Sequence, residues 1–174
     1  PAAGALAAAW FGAEDAGGDV LAFDMGGTTA KLSVVDGGKP LVAYHFEAAR
    51  QKRFAAGSGL PIRISTIELI EIGAGGGSIA AHDALGLLKV GPRSAGSVPG
   101  PACYARGGTD FTLTDALVLL GLMDPARFMG GEMRIDPALS ERAAAPLGAR
   151  LNMSPVDLAR AVFRIAVVNI AQAI

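Results

Sequence analysis

The sequence predicts an α/β protein whose mixed sheet opens with antiparallel strands and carries helices starting near Pro1, Thr114 and Ser154. Three observations lead there. Two turn signals, Gly26-Gly27 and Asp36-Gly37-Gly38-Lys39, separate three strand-like runs within residues 20–46. Residues 1–11 are alanine-rich, as a helix packed tightly on a sheet should be. Ser154-Pro155-Val156-Asp157 supplies a cap, a proline at the first helical position and an acid in the first turn.

In the first helix Leu6, Trp10 and Phe11 provide the bulk, and Gly12 or Gly17-Gly18 can end it. Val20-Leu21-Ala22-Phe23 is a continuous apolar run, which suits a strand covered on both faces and brings Asp24 to its end. Gly26 and Gly27 can take positive φ and lack a Cβ, so the turn is tight and its amides can approach a ligand. Residues 31–35 set Lys31 and Ser33 against Leu32 and Val34, the alternation of a half-buried returning strand. A third strand is expected over residues 41–46, where His45 reads as a surface histidine rather than a ligand.

Residues 60–72 are rich in β-branched side chains and read as one strand, with a helix over 68–72 as the alternative. Gly73-Ala74-Gly75-Gly76-Gly77-Ser78 is expected to open a short helix at Ile79-Ala80-Ala81, flanked by Glu71 and Asp83. A short strand over 87–90 leads into a glycine- and proline-rich stretch to residue 108. Ala95, Val98, Ala102, Cys103 and Tyr104 favour an ordered loop there, and Arg93 and Arg106 read as solvated. Thr114 is expected to cap a helix over 116–122, and 137–147 reads as a polar-faced helix. In the last helix Leu158, Val162, Ile165 and Ala166 share a face, with Asn169 near its seam.

The chemistry concentrates in the first hairpin. A glycine turn presents backbone N–H donors as an anion-binding concavity, and Thr28 and Thr29 add hydroxyls, so the tip suits a nucleotide phosphate. Asp24 cannot meet phosphate directly. Its natural task is to hold Mg²⁺, directly or through water, because that cation takes one or two carboxylates and keeps several waters. The plain alternative is a hairpin in which Gly26-Gly27 only turn the chain and Asp24 bonds local backbone. The spacing is neither the dinucleotide fingerprint nor the Walker loop. The second glycine run, Gly75, Gly76, Gly77 and Ser78, admits two readings: anion contact, or close packing on a neighbouring backbone.

With 174 residues, 51% hydrophobic and 6% aromatic, the chain can build one core of small aliphatic side chains, with 24 glycines in place of bulk. Both ends read as cuts within a longer protein. A formal net charge of −1 leaves no basic stripe for nucleic acid and no polybasic patch for a membrane. No apolar run reaches spanning length, so a soluble chain is expected. The single cysteine, Cys103, excludes an internal disulfide, reads as a buried thiol and fits a reducing cytoplasm.

Phe-Asp-Met-Gly-Gly-Thr-Thr-Ala-Lys at 23–31, Ile-Glu-Ile-Gly-Ala-Gly-Gly-Gly-Ser-Ile-Ala at 70–80 and the run at 91–108 together resemble the hydantoinase/oxoprolinase family. The likeness continues through Leu-Thr-Asp-Ala at 113–116 and residues 128–136. The family includes N-methylhydantoinase A, 5-oxoprolinase, and acetone and acetophenone carboxylase subunits. It implies an actin/hexokinase-like, ribonuclease H-like ATPase half, with residues 1–174 a segment carrying the second-half phosphate loop. It further implies ATP and Mg²⁺ as cofactors, with Asp24 catalytic and metal-binding. Gly26, Gly27, Thr28 and Thr29 would then bind nucleotide, together with Gly75, Gly76, Gly77 and Ser78. The implied substrate is a cyclic amide or imide phosphorylated before ring-opening hydrolysis; a ketone carboxylase subunit or a non-catalytic nucleotide-binding module are the alternatives. Implied partners are the remaining parts of its own chain and a hydantoinase B-type subunit or domain. The chain departs from the family at Thr29-Ala30-Lys31, where many hydantoinases read Ser-Thr-Asp, at Leu117 in place of a common Asn, and at Ala3 in place of Gly.

Overall fold

The structure is a computed structural model, which describes residues 1–15, 17–48, 57 and 59–172. The chain divides into two units, Pro1–Asp24 with Lys31–Glu71, and Met25–Ala30 with Ile72–Ile174.

The first unit opens with helix α1, Ala2–Asp15. Its buried face is made by Ala5 and Ala9, one turn apart, whereas Leu6, Trp10 and Phe11 are exposed, opposite to the expectation that the bulky residues pack. Strands β1, Val20–Met25, and β2, Ala30–Asp36, form the expected hairpin. However, β1 is not covered on both faces: Leu21 is 45% and Phe23 49% exposed. The alternation expected in β2 also shifts, since Leu32, Ser33 and Val35 are buried and Val34 is exposed. Ser33 lines a cleft with Ala5 and Ala8 under α1, where a small polar side chain fits.

The third strand is Lys39–Pro40 (β3), paired antiparallel with Val35 and Asp36, and not residues 41–46 as expected. Gly37 and Gly38, at φ 54° and 77°, make the turn into it. Pro40 has no N–H to continue a ladder, so the chain leaves β2 after Leu41 N–H donates to the Val34 carbonyl at 3.0 Å. It then forms β4, Val42–Ala43, and β5, Phe46–Ala48, in separate pairs. Their antiparallel partners are β7, Thr66–Ile67, and β6, Leu60–Ile62, while β8, Ile70–Ile72, joins β2. The single strand expected over 60–72 is therefore three short ones, each claimed by a different partner. His45 is exposed, as expected.

The second unit begins its sheet with β9, Ser78–His82, and β10, Leu88–Ser94, an antiparallel hairpin with Ala80 opposite Val90. Strand, not helix, follows the glycine run. A three-residue apolar stretch is ambiguous by itself, and here the partners decide: β10 on one edge, and on the other Phe111 and Thr112, through Ala80 N–H to the Phe111 carbonyl at 2.8 Å and a bridge between Ile79 and Thr112. The Asp83 carboxylate closes the hairpin by accepting from the Leu85 and Leu87 amides. The strand expected over 87–90 extends to Ser94 with an irregularity after Val90. Beyond it the chain is the expected ordered loop, with a 3-10 turn at Ala102–Tyr104 whose Ala102 and Cys103 are buried.

Helices α2, Leu113–Leu119, α3, Pro137–Leu151, and α4, Pro155–Ala171, complete the unit. Ser154 caps α4 as expected, accepting from the Asp157 amide, and Asp136 caps α3. Leu158, Ala159, Val162 and Ala166 of α4 meet Ala116 of α2, Ala144 of α3 and Ala80 and Val90 of the hairpin in one core. Asn169 is exposed, away from the seam where it was expected. Among the described residues no helix is long and apolar enough to cross a membrane.

Candidate functional site

The two glycine motifs meet inside the second unit. Gly26 N–H donates to the Thr29 carbonyl at 3.0 Å and closes the turn. Neither Gly26 nor Gly27 has positive φ, contrary to expectation, so the turn does not need glycine for its backbone angles. Nor does the surrounding chain require it: a Cβ on Gly27 would meet nothing within 4 Å, and one on Gly26 only an ordinary contact, the Thr29 carbonyl at 3.7 Å. Gly27 and Thr28 are exposed, and their amides have no hydrogen-bond acceptor among the described residues.

The loop's carbonyls, by contrast, are held. Gly76 N–H donates to Gly26 O at 3.0 Å and Gly77 N–H to Gly27 O at 2.7 Å. This approach explains the second glycine run. A Cβ on Gly75 would lie 2.6 Å from Thr28 N, and one on Gly77 would lie 3.0 Å from Gly27 O. The first would push the loop away, and the second would crowd Ser94 Oγ, at 2.9 Å, as well as the loop. Ser78, 1% exposed, uses its hydroxyl to accept from Gly75 N–H at 2.9 Å and so fixes the run's own turn.

Behind the run stands the start of α2. Thr112, not Thr114, is the cap, and it forms a capping box with Asp115. The signature Thr112-x-x-Asp115 was in the sequence, but Thr114 lies nearer the apolar run. Thr114 is thereby free to donate to the Gly76 carbonyl twice, from its amide at 2.7 Å and from Oγ1 at 2.8 Å. Asp115 is fully buried and accepts five bonds: from the Ala102, Cys103 and Thr112 amides at 3.2, 2.8 and 3.0 Å, and from the Thr112 and Ser140 hydroxyls at 2.7 and 2.8 Å. It ties the 3-10 turn, α2 and α3 together. Nothing in its sequence context announces this, because its partners lie up to 25 residues away.

Burial, and next the neighbouring Asp115 carboxylate, push the Cys103 thiol far above the ordinary thiol range. Burial also raises the Tyr104 hydroxyl. In the first unit Asp24, next to last in β1, has its side chain 57% exposed. Lys31 pairs with Glu71 at 3.7 Å. Among the described residues no group of three or more His, Cys, Asp or Glu side chains is placed to hold a metal ion.

The fold is of the actin/hexokinase-like ATPase class, as two solved structures show. One is the ATP-dependent caprolactamase from Pseudomonas jessenii, with TM-score 0.75 and 29% identity over 99% of this chain and 24% of that one. The other is nucleotide-free acetone carboxylase, with TM-score 0.74 and 25% identity over 91% of this chain and 21% of that one. The hydantoinase/oxoprolinase profile matches residues 1–174, and the chain belongs to that family. It is 40% identical to an uncharacterised protein of Methanocaldococcus jannaschii, over 100% of this chain and 26% of the relative. It is 35% identical to the caprolactamase alpha subunit of P. jessenii over 91% of this chain and 22% of the relative. With the acetophenone carboxylase gamma subunit of Aromatoleum aromaticum the identity is 39%, over 85% and 20%. The chain thus spans about a quarter or less of the length of these relatives.

Proposed function

We propose that residues 1–174 are a segment of an ATPase domain in a longer enzyme, and that Gly26, Gly27, Thr28 and Thr29 bind a nucleotide phosphate. One observation carries this reading. Two adjacent glycines occupy a turn whose φ values and neighbours both admit a side chain, while the amides of two exposed residues, Gly27 and Thr28, are unspent among the described residues. Glycine is then explained by close approach of a ligand. Asp24, two residues earlier in the sequence, is the carboxylate that would hold Mg²⁺, which supplies charge neutralisation to the phosphate oxygens. In the same reading Gly75, Gly76, Gly77 and Ser78 serve that site: the Gly76 and Gly77 amides hold the loop's carbonyls, and Gly75 and Ser78 close the run's own turn.

In this reading the enzyme transfers the terminal phosphoryl group of ATP to the oxygen of a cyclic amide or imide, and so makes that carbon reactive to water. The likeness to an ATP-dependent caprolactamase supports it. The likeness to acetone carboxylase supports, about equally, a second reading in which the same phosphoryl transfer activates an enolate or bicarbonate. A third, non-catalytic nucleotide binding, shares only the fold. ATP turnover by the full-length protein separates them: stimulation by a hydantoin, oxoproline or lactam is expected, stimulation by a ketone with bicarbonate selects the carboxylase, and neither selects the binding module.

A further inference from the structure

We infer that Thr114 is a positioning residue for the Gly26–Thr29 loop, acting through Gly76. This inference rests on the phosphate-binding reading of that loop. Thr114 lies outside both glycine motifs, yet its amide and its hydroxyl both donate to the Gly76 carbonyl, at 2.7 and 2.8 Å. The Gly76 amide in turn donates to Gly26 O at 3.0 Å, and the next amide, Gly77, donates to Gly27 O at 2.7 Å. Two donors on one carbonyl restrict rotation of the Gly76–Gly77 peptide, so the direction of the Gly77 N–H across that plane is set, and the chain before it is held at Gly76. The two amides hold the loop by its carbonyls alone. That leaves the Gly27 and Thr28 amides, in two exposed residues, without a hydrogen-bond acceptor among the described residues and available to an anion.

The clamp is itself anchored. The Thr112–Asp115 capping box fixes the first turn of α2, and Asp115, fully buried with five donors, locks that turn to the 3-10 turn and α3. Space is tight around the joint as well, since a Cβ on Gly76 would fall 2.7 Å from Thr114 Oγ1. Thr114, next in the chain to the buried Asp115, thus links that anchored turn to the exposed loop through Gly76.

The test uses the full-length enzyme with Thr114→Val, which keeps the shape and the backbone bond but loses the hydroxyl donor, and Thr114→Ser, which restores it. Calorimetric titration with Mg-ADP should show affinity lowered about fivefold in T114V, the worth of one net hydrogen bond, and restored to within about twofold in T114S. The melting temperatures should be close to wild type. Hydrogen exchange, which needs no nucleotide, should show faster exchange of the Gly76 and Gly77 amides in T114V alone. Unchanged affinity with unchanged exchange overturns the inference, as does an affinity loss that serine does not rescue, or a T114V protein that fails to fold. If the wild type binds no Mg-ADP, the phosphate reading fails by itself, and unchanged exchange in T114V would then sink the positioning role independently.

Discussion

At the scale of single residues, Gly27 and Asp24 separate a binding loop from a mere turn. Gly27→Ala adds a methyl into open space at an ordinary φ, so the fold should keep its stability or gain a few tenths of a kcal/mol up to ~1 from the less flexible unfolded chain. In the full-length enzyme the same methyl would stand where a phosphate approaches, and Mg-ATP binding should weaken at least about tenfold. Thermal melting and calorimetry on one variant read both effects; undiminished binding would reduce Gly26-Gly27 to a turn. Asp24→Asn keeps the shape and loses the charge. ATP-dependent turnover should fall by about 10² or more if the carboxylate holds the metal. Activity within about threefold of wild type, with Mg²⁺ dependence unchanged, would favour a residue that only bonds local backbone. Cys103 gives a pH signature of its own. Its thiol pKa is raised in the folded state, so the native protein keeps a proton that the unfolded chain releases above about 8.5. The stability it contributes is fully present below that pH and is lost as pH rises further. Urea midpoints should therefore drop between pH 8 and 10, and a disulfide reagent at pH 8 should modify Cys103 only once the chain unfolds.

Among the elements, α2 is the shortest helix and the most heavily anchored. Seven residues cannot sustain a helix by propensity. Its stability comes from the Thr112 cap, from Asp115 and from packing on α4, where Ala116, Leu158 and Val162 are fully buried. Thr112→Ala should cost ~1 kcal/mol through the cap. Asp115→Ala should cost more, about 3 kcal/mol, because it leaves the Ala102 and Cys103 amides and the Ser140 hydroxyl without their buried acceptor. Denaturation midpoints of the two variants order the effects. Equal losses would mean that Asp115 does no more than cap the helix. The elements also show where pattern reading holds. α4 carries a strong cap and a long one-sided apolar stripe, and it forms as expected. Residues 60–72 carry a pattern that favours strand but no residue that fixes a partner, and three short strands result.

For the whole molecule, the decisive fact is that the first hairpin's tip, Met25–Ala30, belongs to the second unit while its strands belong largely to the first. With relatives of about four times this length, the 174 residues are expected to supply only part of a nucleotide cleft. The isolated chain should show no ATP hydrolysis above background and weak or absent Mg-ATP binding. Robust turnover by these residues alone would contradict the proposal that they are a segment of a larger ATPase domain.

The sequence by itself determined the family, the α/β class, the first hairpin, the capped last helix, the buried cysteine and the phosphate-loop candidate. These rest on contiguous residues: glycine pairs, a cap with its proline, a period of 3.6. Only the tertiary structure decided that Ser78–His82 is a strand, that Ala5 and Ala9 pack while Trp10 does not, and that the second glycine run grips the first. Only it revealed Asp115 as the hub behind that grip. The physical reason is the same in each case. An apolar triplet, an alanine face or a glycine run fits more than one local structure, and the choice is made by partners far along the chain: Phe111 for Ala80, Gly27 for Gly75, Ser140 for Asp115.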